Sequence, residues 1–208
     1  MKSLSDENNR GYMSLKHAVA EIAHRIDLTL PDLKEPVKMI IAGGVAVNFY
    51  CGSRATIDVD ASFSRRIALP EDLAVPYQTP DGRFLTVHLD TNYNTTFAVM
   101  HEDYEDDAIA IEMKDFVGKN IKLYLLSPVD LAVSKIARFE GPDKGDIAAL
   151  ARAKLINSKE VAERAEDAIS YYVGSLDRVR WNLRDALKII EDTQRELRKQ
   201  NRNLDHGR

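Results

Sequence analysis

The sequence predicts an α+β protein, a mixed-sheet core followed by a C-terminal helical annex. Three observations predict it. A helical repeat precedes the first strand-like run, several short strand-like runs crowd between Val37 and Leu125, and from Ser127 onward the texture turns wholly helical. The expected divisions are an N-terminal helix and lead-in over 1–36, the core over 37–126 and a helical region over 127–208.

Leu15, Val19, Ile22 and Ile26 recur at helical spacing, so Leu15 to Ile26 is an amphipathic helix. A loop carrying Pro31 and Pro36 leads to Val37 to Ala42, an apolar β-branched run of strand length ending on Gly43 and Gly44. Val45 to Tyr50 is a short helix, Gly52 a break, and Ile57 to Phe63 a second strand. Side chains alternate along a strand, which places Asp58, Asp60 and Ser62 on one face and Ile57, Val59 and Phe63 on the other. Further strands are expected at Phe84 to Leu89, Thr96 to Met100, Ala108 to Met113 and Ile121 to Leu125, with a hairpin punctuated by Pro80, Asp81 and Gly82. In the annex, Ser127 is an N-cap with Pro128 at the first helical position and Asp130 in the first turn. Helices follow over Pro128 to Phe139, Asp143 to Ala153, Ser158 to Val173 and Leu176 to about Lys199, broken at Gly141 and Gly174.

A chain of 208 residues is long enough to bury a sizeable core. The one cysteine, Cys51, excludes an internal disulfide, and MKSLSDENNR lacks the apolar stretch of a signal peptide, so a cytoplasmic location is expected. The most apolar segment, Val37 to Cys51, is interrupted by Lys38, Gly43, Gly44 and Asn48, which argues against a membrane span. A net charge of −4 argues against a broad basic nucleic-acid surface. His17, His24, His88, His101 and His206 show no paired-ligand spacing of the kind a zinc site needs.

The chemistry concentrates in one stretch. Asp58 and Asp60 present two carboxylates on one strand face, and adjacent anions become favourable when a divalent cation sits between them. Alone, the pair also suits a solvated edge strand. Gly43 and Gly44, at a strand end followed directly by a helix, let backbone N–H groups approach a triphosphate with the helix N-terminus aimed at it. A tight strand-to-helix turn would use the same glycines, and it is the joint pattern that chance produces rarely.

The segment GGVAVNFYCGSRATIDVDASF resembles the signature of the DNA polymerase β nucleotidyltransferase superfamily. Specifically, it resembles the small bacterial branch containing AbiEii-type toxins, in which paired glycines precede a segment of the form RxTxDxD, matched here by Arg54, Thr56, Asp58 and Asp60. LSPVDLAVSKIARFEGPDKGDIAAL resembles the same branch, where a serine-capped helix carries a lysine and a later aspartate opens the next helix; Lys135 and Asp146 hold those positions. Where the family commonly has an Arg-Asp pair ahead of that aspartate, this chain has Pro142, Asp143, Lys144 and Gly145. The resemblance covers roughly Val37 to Leu150 and implies a nucleotidyltransferase-like mixed-sheet core.

The resemblance further implies that Asp58 and Asp60 hold magnesium against a nucleoside triphosphate, that Gly43, Gly44, Arg54, Thr56 and Lys135 contact nucleotide, and that Lys135 and Asp146 belong with these aspartates to the catalytic set. It also implies a third metal-binding carboxylate on a neighbouring strand. Asp90, ending FLTVHLD, is the choice and Glu112 the reserve, although Asp90 followed by Thr91 and Asn92 also suits an Asx turn. Lys135 would meet phosphate or snorkel to solvent, and Arg54 would bind triphosphate or brace its loop. The expected reaction is magnesium-dependent transfer of a nucleoside monophosphate to an RNA, such as tRNA, or to a protein, with a toxin role and a cognate antitoxin as a further partner. Arg178, Arg180, Arg184, Lys188, Arg195, Arg198, Lys199 and Arg202 make the last helix locally basic, as an RNA acceptor surface or as an i,i+4 paired solvent face. A non-catalytic binding module and a metal-dependent phosphohydrolase are the alternatives.

Overall fold

The computed structural model describes residues 13–52 and 55–205. α1 (Leu15–Thr29) is capped by Ser14 and lies against β4 (Ala74–Gln78), β5 (Phe84–Leu89) and β7 (Ile121–Leu125), its apolar stripe of Leu15, Val19, Ile22 and Ile26 buried as the spacing requires. The strands form two small sheets. One has the order β3-β1-β7-β6, with β1 (Val37–Ile41) parallel to β7 (Ile121–Leu125) and antiparallel to β3 (Ala61–Phe63), and β6 (Ile109–Ala110) on its edge. The other has the order β2-β5-β4, with β2 (Asp58–Val59) parallel to β5 (Phe84–Leu89) and β4 (Ala74–Gln78) antiparallel to it. Asp27 ties α1 to the sheet, since its carboxylate accepts the N–H groups of Asn120 and Ile121, both at 2.7 Å, where β7 begins.

The annex carries α3 (Pro128–Ser134), α4 (Gly141–Arg152), α5 (Ser158–Ile169) and α6 (Leu176–Asp205). α4 packs on both α2 (Gly43–Cys51) and α6, so one apolar core runs from the sheets into the annex. A buried ion pair joins α5 to α3, with Arg164 Nε 2.6 Å from Asp130 Oδ1. Among the described residues no helix is long and apolar enough to cross a membrane.

Several local expectations change. Ile57 to Phe63 is not one strand: β2 belongs to one sheet, β3 to the other, and Asp60 sits at the crossing. Ile57, which strict alternation sets on the same face as Val59, is 50% exposed, while Val59 is fully buried. Thr96 to Met100 is not a strand: it begins inside a 3-10 turn at Thr95–Phe97, capped by the Asn94 side chain. Of Ala108 to Met113 only Ile109–Ala110 forms a strand; Met113 makes an isolated bridge to Phe116. β4 was hidden by Pro76, which is tolerated because β4 is an edge strand. The helix expected to reach Phe139 ends at Ser134, and the chain passes through Phe139 at φ 55 before α4 starts on a Glu140–Asp143 capping box.

Candidate active site

The site is built where the two sheets meet the start of α2. Ala42 donates its N–H to the Asp60 carbonyl at 2.8 Å, locking the strand crossing beside the glycine turn. Gly43 opens the helix at φ 57, and a Cβ there would collide with the Asp60 carboxylate. Glycine is required on both counts, because the left-handed conformation disfavours a side chain and the space is already filled. Asp60 is thereby held over the helix opening, and Ala42, the N-cap residue, provides no capping side chain.

A cavity of about 330 Å³ opens there. Asp60 and Asp90 contribute carboxylates, Lys135 and Arg138 cations, and Asn92, Tyr93 and Asn94 a polar ledge. Burial pushes the Asp60 carboxyl up to about 6; the charges of Asp90 and Asp58 add to the rise, and Lys135 and Arg138 oppose it. Burial and the Asp60 charge likewise push the Tyr93 hydroxyl up. For Asp143, burial works upward, but the Arg138 guanidinium, the Glu140 N–H and Lys135 outweigh it and hold the carboxyl below its ordinary range. Asp60 thus feels the charges of both Asp90 and Asp58, with two cations at the same cavity.

Each residue singled out in the sequence has a definite place. Asp58 lies half exposed on β2, with Oδ1 2.9 Å from Nε2 of His88, its register partner on β5. Asp90 donates its N–H to the Val59 carbonyl at 3.0 Å and lines the cavity, while its Oδ1 accepts from the Asn92 N–H at 2.9 Å, so the Asx turn and the cavity position coexist. Glu112 lines different cavities, one of them with Lys16, His17 and Phe49. Gly44 is buried beneath the turn. Thr56 is outside the cavity lining and braces the approach to Asp58: the Tyr77 hydroxyl accepts its N–H and donates to its carbonyl, and Thr56 Oγ1 donates to the Asp58 carbonyl at 3.3 Å. Arg54 lies outside the described residues.

Lys135 is only 6% exposed and neither snorkels nor stands free, since Nζ is 2.7 Å from Asp146 Oδ2 and 3.8 Å from Asp143 Oδ1. Asp146 is therefore the anchor of Lys135, behind the cavity wall. The most exposed cation of the cavity is Arg138, whose Nε and Nη2 grip the Asp143 carboxylate at 2.9 and 2.8 Å. Sequence reasoning gives no site role to Arg138, Asp143, Asn92, Tyr93, Asn94 or His88. One signal was available: Lys135 and Arg138 stand three apart in KIAR, a spacing that sets two cations side by side on one turn. Arg138 also supplies the guanidinium for Asp143 that Pro142 cannot, filling the Arg-Asp pairing from the preceding turn.

An α+β core with carboxylates and cations facing one helix opening is suited to an anionic substrate carrying a divalent ion. The family model described as a nucleotidyltransferase of unknown function (DUF6036) matches residues 17–195, and the chain belongs to that family. No curated protein and no solved structure matches the chain.

Proposed function

We propose that the chain transfers a nucleoside monophosphate from a nucleoside triphosphate to a macromolecular acceptor, in the manner of the AbiEii-type branch that its RxTxDxD segment resembles. The observation that carries this is the Asp60 carboxylate seated on Gly43 at the opening of α2, with Asp90 and Asp58 within electrostatic reach. Carboxylate oxygens are the donors magnesium prefers, and the repulsion that Asp90 and Asp58 exert on Asp60 is what a divalent ion relieves. Asp58, Asp60 and Asp90 would hold it. Among the described residues no group of three or more His, Cys, Asp or Glu side chains is placed to hold a metal ion, so substrate phosphates and water would have to complete its shell. When bound, the ion neutralises charge on the phosphates.

The chain's own groups do the rest. The backbone N–H of Gly43, which lines the cavity, meets the phosphate oxygens, and Arg138, beside Lys135, faces the departing pyrophosphate. Asp90 accepts the proton of the acceptor hydroxyl as its oxygen forms a bond to the α-phosphorus and the bond to the β-phosphate oxygen breaks. Asn92, Tyr93 and Asn94 flank the acceptor side. The acceptor is an RNA or a protein, and by resemblance the biological role is that of a toxin restrained by a cognate antitoxin.

Calorimetric titration with magnesium and nucleoside triphosphate tests the reading. Wild-type protein should bind the triphosphate with magnesium and lose most of that affinity in EDTA, and Asp58→Ala and Asp60→Ala should remove the metal-dependent part. Unchanged metal-dependent affinity in both variants would sink the site. A second reading, a binding module without turnover, draws on the engagement of Lys135 by Asp146 and Asp143. Tight metal-dependent binding with no transfer to any acceptor would select it.

A further inference from the structure

α6 starts beside the cavity, fastened to the turn that carries Arg138. Arg178 Nη2 donates to the Arg138 carbonyl at 3.5 Å, and Asn182 Nδ2 donates to the Ile136 carbonyl at 2.8 Å. Val179, Leu183, Ala186 and Ile190 bury one stripe of the helix. Positions 178, 181, 184 and 188, three or four apart, therefore share the outward side, and all four are exposed. Among them is the single tryptophan of the chain, Trp181, 65% exposed despite being the largest apolar side chain available for a core. The Arg184 guanidinium lies over its ring at 5.0 Å. Between 177 and 188 the helix carries four cations, Arg178, Arg180, Arg184 and Lys188, against Asp177 and Asp185, in a chain of net charge −4. Among the described residues none of these four cations forms an ion pair, whereas Arg195, further along, is held by Asp192 at 3.1 Å.

We infer that the first half of α6 is a docking platform for an unpaired segment of a nucleic-acid acceptor, with Trp181 and Arg184 stacking a base and Arg178 and Lys188 meeting phosphates. The inference rests on the nucleotidyltransferase reading and names its acceptor. A duplex hides the faces of its bases, so an exposed indole beside a guanidinium favours single-stranded chain, where every base offers a face to stack on. Position decides between the two ends of the helix. Arg178 is tied to the cavity turn, while Arg198, 20 residues on, stands about 30 Å further along a helix rising about 1.5 Å per residue.

Because Trp181 is the only tryptophan, its fluorescence reports the platform directly. Titration with a single-stranded RNA of about 12 nucleotides should quench it saturably, and the affinity should fall steeply with salt. Anisotropy of the labelled oligonucleotide should show Trp181→Ala binding roughly 5- to 100-fold more weakly, Trp181→Phe close to wild type, and Arg178→Glu with Lys188→Glu weaker and less salt-sensitive. Arg195→Glu should change affinity little. Trp181→Ala should keep wild-type affinity for magnesium and triphosphate, which separates this inference from the reading beneath it. Absent quenching, wild-type RNA affinity in Trp181→Ala, or preference for duplex over single strand would each overturn the platform. Label from the triphosphate appearing on protein and never on RNA would overturn it too, while leaving nucleotidyl transfer standing.

Discussion

Replacing Gly43 by alanine separates backbone strain from blockage of the site. Gly43 and Gly52 flank the same helix at φ 57 and 62, so alanine at either costs about 1–2 kcal/mol of left-handed strain. For a chain of this length that lowers Tm by roughly 2–8 °C. The surroundings differ, since a Cβ at Gly52 meets nothing within 4 Å and one at Gly43 falls on the Asp60 carboxylate. Asp60 must then move by an ångström or more, a displacement that costs about 100-fold in rate when it misplaces a reacting group. Thermal unfolding, calorimetry with magnesium and triphosphate, and label transfer on both variants make the comparison. Both should unfold earlier, but only Gly43→Ala should lose metal-dependent binding and transfer. Equal function in the two variants would refute the claim that Asp60 over the helix opening is the centre of the site.

Asp60 also sets a pH dependence. Its carboxyl is held at about 6 against an ordinary 3.8, so the folded state keeps a proton the unfolded chain releases; that stabilisation is full below about pH 4 and lost as pH rises through about 6. Asp60→Asn should therefore raise Tm at pH 7 and flatten the wild-type decline between pH 4 and 6 by up to about 3 kcal/mol, and identical stability curves for the two proteins would contradict it. Lys135→Met takes the ammonium from the buried Asp146 and should destabilise by about 3–5 kcal/mol in urea unfolding. A variant as stable as wild type would mean that Lys135 is not structural. Asp90→Asn should abolish transfer while triphosphate binding largely survives, and Glu112→Gln, in other cavities, should leave transfer at wild-type rate; reversed severities in a transfer assay would move the third carboxylate to Glu112.

The sequence made the fold class legible because its strongest patterns are local ones. The helical spacing of Leu15 to Ile26, the β-branched run at Val37 and the alternating run at Ile121 are local signals, and α1, β1 and β7 form there. Pairing decided what the pattern alone did not. A period of two cannot report that Asp58 and Val59 join one sheet and Ala61 another, nor that the crossing swings Asp60 onto Gly43. Pro76 disguised β4 for the complementary reason, that only an edge position makes proline acceptable in a strand. At the site, GG and DxD are readable as a motif, but the sequence leaves Lys135 between phosphate and solvent and does not show its carboxylate partners. Its partners Asp143 and Asp146 lie beyond a chain reversal at Phe139 that no propensity announces. Arg138 was missed because its significance comes from Asp143 across the same turn.

Parallel incubations with triphosphate labelled at the α- or the γ-phosphate, in magnesium with total cellular RNA and protein, separate nucleotidyl transfer from neighbouring chemistries. The account predicts that α-label enters a macromolecule, that γ-label leaves only in pyrophosphate, and that both events vanish in Asp60→Ala. Macromolecules labelled from the γ-position, or inorganic phosphate as the sole product, would contradict it.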